Sequence, residues 1–487
     1  MAVRNTVYGN AGSTNRKPVS DLSWRTLADR RRDPKAKRRG RTITILSILL
    51  VIVAIFAAVR FSSVVNALDD QLTIRIGDQQ AAILDVRQYQ PISPDVFGTN
   101  VFPQIGSLSH DQADGTMSYS APFPQELASA HVGMLRFPGG DWGEKHYLSF
   151  DQLSAFSTLL QHTHADGMVQ ARLSGPIGTD YSQLTDVNAR AQIAASWVDF
   201  MNNAKSDQRI GKYAQAPYHP VKFWTVGNEP DKLINPATGK IYTVQEYVQD
   251  FIVFATAMHK VDPTIKVFGP ELSQFNGVGV GPHDATGQLW MDEFLKEIGA
   301  YEQAHSVTLL DGVSFHDYPF ANTGHDSSII LSSPGSWNYL LPQVHQLIRQ
   351  YFKQDIPIAV TAINTNTSDT TAPTPGLASL WWGDTLGELM NSGVEYAAFA
   401  SASGTNNPYP LFTTQNVKAT PMFRVMQLFG HLQHNLIPLA IQRDPISLYT
   451  TQDDSHQTIS MLFINKSNQS QLAQIRPDTQ PFATSLW

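Results

Sequence analysis

A chain of 487 residues with 42% hydrophobic and 10% aromatic side chains can bury one large core, and it is too apolar to be disordered or fibrous. It has no cysteine, which excludes a disulfide framework, a thiolate metal site and a cysteine nucleophile. The net charge of −7 hides two unlike parts, since residues 1–41 carry twelve Lys/Arg against three Asp/Glu and the remainder carries 23 against 39.

In chain order, the basic leader 1–41 ends in RRRDPKAKRRGR and is followed by the uncharged run TITILSILLVIVAIFAAV, Thr42 to Val59. About 18 apolar residues cross a bilayer as a helix, so residues 42–60 are expected to form a single transmembrane signal anchor in contact with membrane lipid. The positive-inside rule keeps the leader in the cytoplasm and places everything after residue 60 outside the cell membrane. Two other readings exist. A buried core helix does not fit a segment with no polar face and three arginines at one end. A cleaved signal peptide would use the small-residue site Val65-Asn66-Ala67, but a 41-residue leader is long for one. The basic tail reads as a topology signal facing anionic lipid, with no nucleic-acid partner expected.

Residues 72–90, which begin LTIRIGDQQAAILDV, read as one or two flanking strands. From 91 to 435 apolar strand-like runs alternate with amphipathic helical stretches. The runs are 94–102, 132–141, 167–175, 222–230, 265–273, 310–320, 356–365 and 394–404. Between them, stretches such as ARAQIAASWVDFMNNA and VQEYVQDFIVFATAMHKV repeat apolar residues every three or four positions. Eight strand–helix repeats predict an α/β fold, a closed parallel (β/α)8 barrel. Residues 436–487 offer ISLYTTQD and TISMLFINKS as two further strands, and both flanks together are expected to form a small accessory β-domain, reduced or cut short.

Chemistry in such a barrel sits at the carboxyl ends of the strands. Those ends read Asn100 (strand one), Arg136 with Gly139-Gly140 (two), Asn228-Glu229 (four), Glu271 (five), His316-Asp317-Tyr318 (six) and Ala362 (seven). Each has a structural reading as well: a buried ion pair for Arg136, a hydrogen-bonded rim residue for His316, a tight turn for the glycines. Their gathering at one end of an apolar set favours a site.

The motifs WTVGNEP, RFPGGD and SFHDYP, on strands four, two and six, resemble the clan A retaining glycoside hydrolases with a TIM barrel, nearest to families 39, 44, 51 and 79. PISPDVFGTN is similar to the segment that leads into the first barrel strand in those families. The resemblance spans roughly residues 72–467 and implies a carbohydrate substrate, with no metal or organic cofactor. It makes Glu229 the acid/base and Asn228 the residue that holds the hydroxyl beside the reacting carbon. It gives Arg136, His316, Tyr318 and Asn100 to binding, orienting the sugar and the second carboxylate. Trp142, Trp224, Trp381 or Trp382 are candidate platforms for a sugar ring, with a core role the alternative.

Strand seven departs from the pattern. The resemblance implies a Glu nucleophile at the position of Ala362, and retaining hydrolysis needs two carboxyls about 5 to 5.5 Å apart. A methyl group cannot attack carbon, and without a neighbouring carboxylate Glu229 ionises more readily and is a poorer acid. Three readings stay open: another acid serves (Glu271, Asp317 or Asp369), the barrel is a non-catalytic carbohydrate-binding or scaffolding module, or the Ala is a recent allele or sequence error. An envelope protein using the barrel only as bulk would lack the polar cluster.

Overall fold

The computed structural model describes residues 71–77, 82–103, 122–174, 184–321, 324–367, 371–403, 409–413, 418–439 and 444–477. The chain divides into two compact units, Met1–Leu68 and Asp69–Trp487, and all described residues belong to the second. The predicted anchor at 42–60 lies outside them. Among the described residues no helix is long and apolar enough to cross a membrane.

Eight strands close into a parallel barrel: Gly98–Asn100, Met134–Phe137, Asp166–Ala171, Phe223–Val226, Lys266–Leu272, Gly312–Asp317, Ile358–Ile363 and Tyr396–Phe399. Each matches one of the eight runs read from sequence. The last pairs with the first through Ala398 and Gly98. The strands are short, and nearly every residue in them is buried, which is why they read as continuous apolar runs rather than alternating ones.

Inside the barrel, toward the amino ends of the strands, Met134, Met168, Phe223, Phe268, Ala359, Tyr396 and Ala398 form a plug. Gly312 makes room for it, because a Cβ there would lie 2.1 Å from the Phe268 ring. The helices outside start on firm caps. Ser149 and Gln152 form a capping box on Phe150–Thr163, as do Thr243 and Glu246 on Val244–Val261.

Both chain ends build two antiparallel sheets beside the barrel. Gln71–Ile76 is the centre of one, between Ala82–Asp85 and Ala473–Pro477. The other runs Ile459–Asn465, Ile446–Gln452, Asn435–Leu436, Gln90–Pro91. Leu72, Ile74, Ile76 and Leu84 pack with Ile437, Leu439, Ile446 and Leu448 in a separate core. This β-domain is fastened to Pro375–Asn391, the helix after strand seven. The Tyr449 hydroxyl lies 2.7 Å from Asp384 Oδ1, and Lys466 pairs with Asp384 at 3.0 Å and Asp444 at 2.8 Å.

Asp95, just before strand one, is buried and its Oδ1 has no partner among the described residues. Burial and the nearby charges of Asp166 and Glu395, against Lys222, push its carboxyl up to about 7. A carboxyl raised on folding stabilises most below its unfolded value of 3.8 and progressively less as pH rises toward 7. Asp95→Asn is therefore expected to raise the melting temperature by several degrees at pH 8 and by little at pH 4.5. Melts of both proteins at the two pH values check this, and an equal gain at both would rule out ionisation as the cause.

Candidate functional site

The site begins with the turns that end strands two, four and five. After strand two, Gly139 and Gly140 take φ of 59° and 66°, and a Cβ on Gly139 would strike Asn100 Oδ1 at 2.7 Å. The glycine pair is thus both a turn and a close approach to a site residue. Strand four is held by the Tyr247 hydroxyl, which donates to Val226 O at 2.8 Å. Glu229 and Glu271 both adopt left-handed backbone, φ 48° and 58°, which costs a non-glycine residue about 1 kcal/mol or more. Glu229 N–H donates to Glu271 O at 2.9 Å, so each turn props the other.

Arg136 is fully buried at the centre. It donates to Asn100 Oδ1 at 2.9 Å, Asn228 Oδ1 at 3.2 Å, Gln170 Oε1 at 3.3 Å and Glu271 Oε2 at 2.5 Å. Glu271 also accepts from Thr361 Oγ1 at 2.8 Å. His316 bridges the two glutamates, with Nδ1 3.0 Å from Glu229 Oε1 and Nε2 3.3 Å from Glu271 Oε2. The second oxygen of Glu229 accepts from Lys232 Nζ at 3.1 Å. Five strands thereby contribute side chains to one cluster: one, two, three, six and seven through Asn100, Arg136, Gln170, His316 and Thr361. The turns after strand four and at the end of strand five supply the carboxylates.

The cluster sets two carboxylates against three cations, Arg136, His316 and Lys232. Burial would raise the Glu229 pKa, but His316 and Lys232 outweigh it and hold the carboxyl at about 2. Burial would do the same to Glu271, where Arg136 and His316 bring it to about 2. Burial works against a charge on His316, and its two carboxylate partners overcome it and raise its pKa. Only an imidazolium can donate from both ring nitrogens, so His316 sits between its carboxylates as a cation.

The structure brings together Asn100, Arg136, Asn228, Glu229, Glu271 and His316. Tyr318 stands beside them, its ring 6.5 Å from His316 and edge-on, and its hydroxyl makes no hydrogen bond among the described residues. Asn228 gives its carbonyl to Arg136, while its amide nitrogen has no partner among the described residues. Ala362 lies on strand seven in register with His316 and is 3% exposed.

The three alternative carboxylates fare differently. Glu271 is in the cluster, but its side chain is 0% exposed, against 19% for Glu229, and both its oxygens are engaged. It cannot touch a substrate. Asp317 pairs with Ile363 one step along the strand from His316 and makes no hydrogen bond or ion pair to the cluster among the described residues; burial raises its carboxyl to about 7. Asp369 lies outside the described residues. The expected sugar platforms Trp142, Trp224, Trp381 and Trp382 are all buried in the core, so none offers an open ring face. Sequence reading missed Gln170, Thr361 and Lys232; the first two carried a signal, as polar residues inside apolar barrel runs. No cluster of residues able to hold a metal ion occurs among the described residues.

The sequence model described as glycoside hydrolase family 44 matches residues 162–321, from the end of the helix before strand three to just past strand six. Solved structures with the same fold include a family 51 α-L-arabinofuranosidase from Bifidobacterium longum, 16% identical, with a TM-score of 0.59 over 82% of this chain and 86% of that one. A family 44 xyloglucanase from Paenibacillus polymyxa is 15% identical, with a TM-score of 0.58 over 82% of this chain and 88% of its own. The arabinofuranosidase of Thermotoga maritima is 16% identical, at 0.55 over 77% and 82%. No curated protein matches the sequence. The motif-based resemblance to the clan that holds families 44 and 51 is met by both the family model and the fold.

Proposed function

We propose that this glycoside hydrolase-like chain binds a carbohydrate at the carboxyl end of its barrel and cleaves O-glycosidic bonds weakly or not at all. The observation that carries the reading is the single open carboxylate: Glu229 is the one member of the pair that reaches the surface, and a methyl group stands on strand seven. The amide of Asn228 and the hydroxyl of Tyr318, both without partners among the described residues, supply donors and an acceptor for sugar hydroxyls. The uncharged run 42–59 with its basic leader supports a place at the outer face of the cell membrane, tethered by a single span with a cytoplasmic amino terminus. Catalytic loss would leave a surface module that holds glycans.

Xyloglucan and arabinose-bearing oligosaccharides, after the substrates named for the structural neighbours, are the first glycans to try. Calorimetric titration is expected to find one that binds, and Asn228→Ala is expected to weaken it about tenfold, the scale of one lost hydrogen bond of about 1.4 kcal/mol. Binding by no glycan in a panel of neutral and acidic oligosaccharides, or binding indifferent to Asn228, would overturn the proposal.

A further inference from the structure

Strand three carries a cation that the cluster does not use. Along the strand, Met168 enters the plug inside the barrel and Gln170 the polar cluster above it, while Val169, Ala171 and Leu173 join the outer core. Alternation therefore turns Arg172, one residue past the strand end, toward the mouth of the barrel on the Gln170 side. It is 8% exposed, and Nε, Nη1 and Nη2 all lack a hydrogen-bond partner among the described residues. The buried arginines Arg136, Arg190 and Arg209 differ, since each leaves one nitrogen unpaired and bonds the protein through the others.

Glu144, on the helix after strand two, is the carboxylate whose charge Arg172 feels. Its oxygens are already taken by Leu173 N–H, Ser174 N–H and the Gln170 amide. Those bonds pin the turn after strand three and hold the arginine in place without pairing it. Burial lowers the Arg172 pKa and the Glu144 charge raises it, yet a guanidinium stays a cation at any working pH. A buried charge with no partner costs the free protein stability, and such a group calls for something outside the chain to complete it.

The place of Arg172 says what that is. Strand three pairs with strand four, Ala171 opposite Val226, so the guanidinium stands one strand from Asn228–Glu229, where the Asn228 amide nitrogen also has no partner among the described residues. A neutral sugar hydroxyl supplies no charge and would leave most of the guanidinium donors unmet. A carboxylate matches the planar fork with two oxygens and neutralises it. We propose that this site, on the reading that it binds carbohydrate, takes an acidic glycan, with Arg172 receiving the carboxylate of a uronic acid residue in a two-pronged ion pair. A sulfate ester offers the same charge on tetrahedral oxygens, and the test separates the two.

The test uses the full chain in detergent and oligosaccharides of glucuronic, galacturonic and mannuronic acid. Each is set beside its carboxyl-reduced twin, its methyl ester and a sulfated form of the reduced twin. Calorimetric titration is expected to find one acidic oligosaccharide that binds about tenfold or more tighter than its reduced twin and its methyl ester, the scale of a charge-assisted pair. Arg172→Gln should erase that difference. Arg172→Lys should keep only part of it, because an ammonium brings the charge without the fork. Asn228→Ala should weaken the acid and the reduced twin alike. Since the guanidinium is unpaired in the free protein, Arg172→Gln is also expected to melt no lower than the parent, whereas loss of a structural arginine would lower the melting temperature. Equal binding of acidic and reduced forms, a preference that survives Arg172→Gln, or a lower melting temperature in that variant overturns the assignment and leaves carbohydrate binding standing. A sulfated form that binds as tightly as the uronate overturns the carboxylate as the group received. If no glycan binds, acidic or neutral, both readings fall together.

Discussion

Replacing Arg136 by Met is expected to be among the most destabilising single changes this barrel can suffer, at about 3–5 kcal/mol, because it strands the fully buried carboxylate of Glu271. In the native cluster the carboxyl is held near 2, below its ordinary 4.5, so it contributes stability above about pH 4.5 and loses that contribution as pH falls toward 2. Removal of the guanidinium reverses the sign. Burial, now opposed by His316 and neighbouring hydroxyls without the guanidinium, pushes Glu271 up, and the variant relieves its penalty by binding a proton as pH falls. Denaturant unfolding should therefore show a larger loss at pH 8 than at pH 5. Combining Arg136→Met with Glu271→Met removes both charges and is expected to recover much of the loss. A single variant within about 1 kcal/mol of the parent, or a double variant worse than the single, would show that the pair does not carry the site's stability.

That dependence on one ion pair also marks where the sequence stops being legible. The barrel could be read because each strand is a short buried run, and runs such as KFWTV and GVSFH are buried on both faces and bounded by turns. The polar ends of strands one, two, four and six were legible for the same reason: Asn100, Arg136, Asn228, Glu229 and His316 interrupt apolar stretches at equivalent heights. The role of Glu271 was not. Whether it would be a spare acid or the counter-ion of Arg136 depends on its left-handed backbone and on the bond from Glu229 N–H, neither of which spacing reveals. Asp317 and His316 are adjacent in sequence, yet strand alternation turns one into the cluster and the other away. In the β-domain, Gln90–Pro91 and Asn435–Leu436 went unread because two residues carry no period, and Ala473–Pro477 because it is largely exposed and polar.

The second large effect is a gain. Ala362→Glu is expected to raise hydrolysis of an activated aryl glycoside of the bound sugar on the order of 10³-fold or more, the scale on which losing a nucleophile lowers kcat in covalent catalysis. The new carboxylate would act twice. It would attack the anomeric carbon, and its negative charge would raise the Glu229 pKa from about 2 toward the range of a working acid. A bell-shaped pH profile should appear with the activity. The side chain must enter a site that is 3% exposed, so a stability loss of about 1–3 kcal/mol accompanies it, and melts must show the variant folded. The unaltered protein should respond instead to azide or formate, small anions able to attack from the side where only a methyl stands, and the azide adduct should have inverted configuration relative to a retained hydrolysis product. Equal activity in both proteins, or silence of the parent at every azide concentration on a sugar that binds, would mean that strand seven does not carry the missing nucleophile. Gain in the variant and rescue of the parent, on the same sugar, would require the reacting carbon to lie between Glu229 and Ala362, the arrangement that two-carboxylate hydrolysis demands.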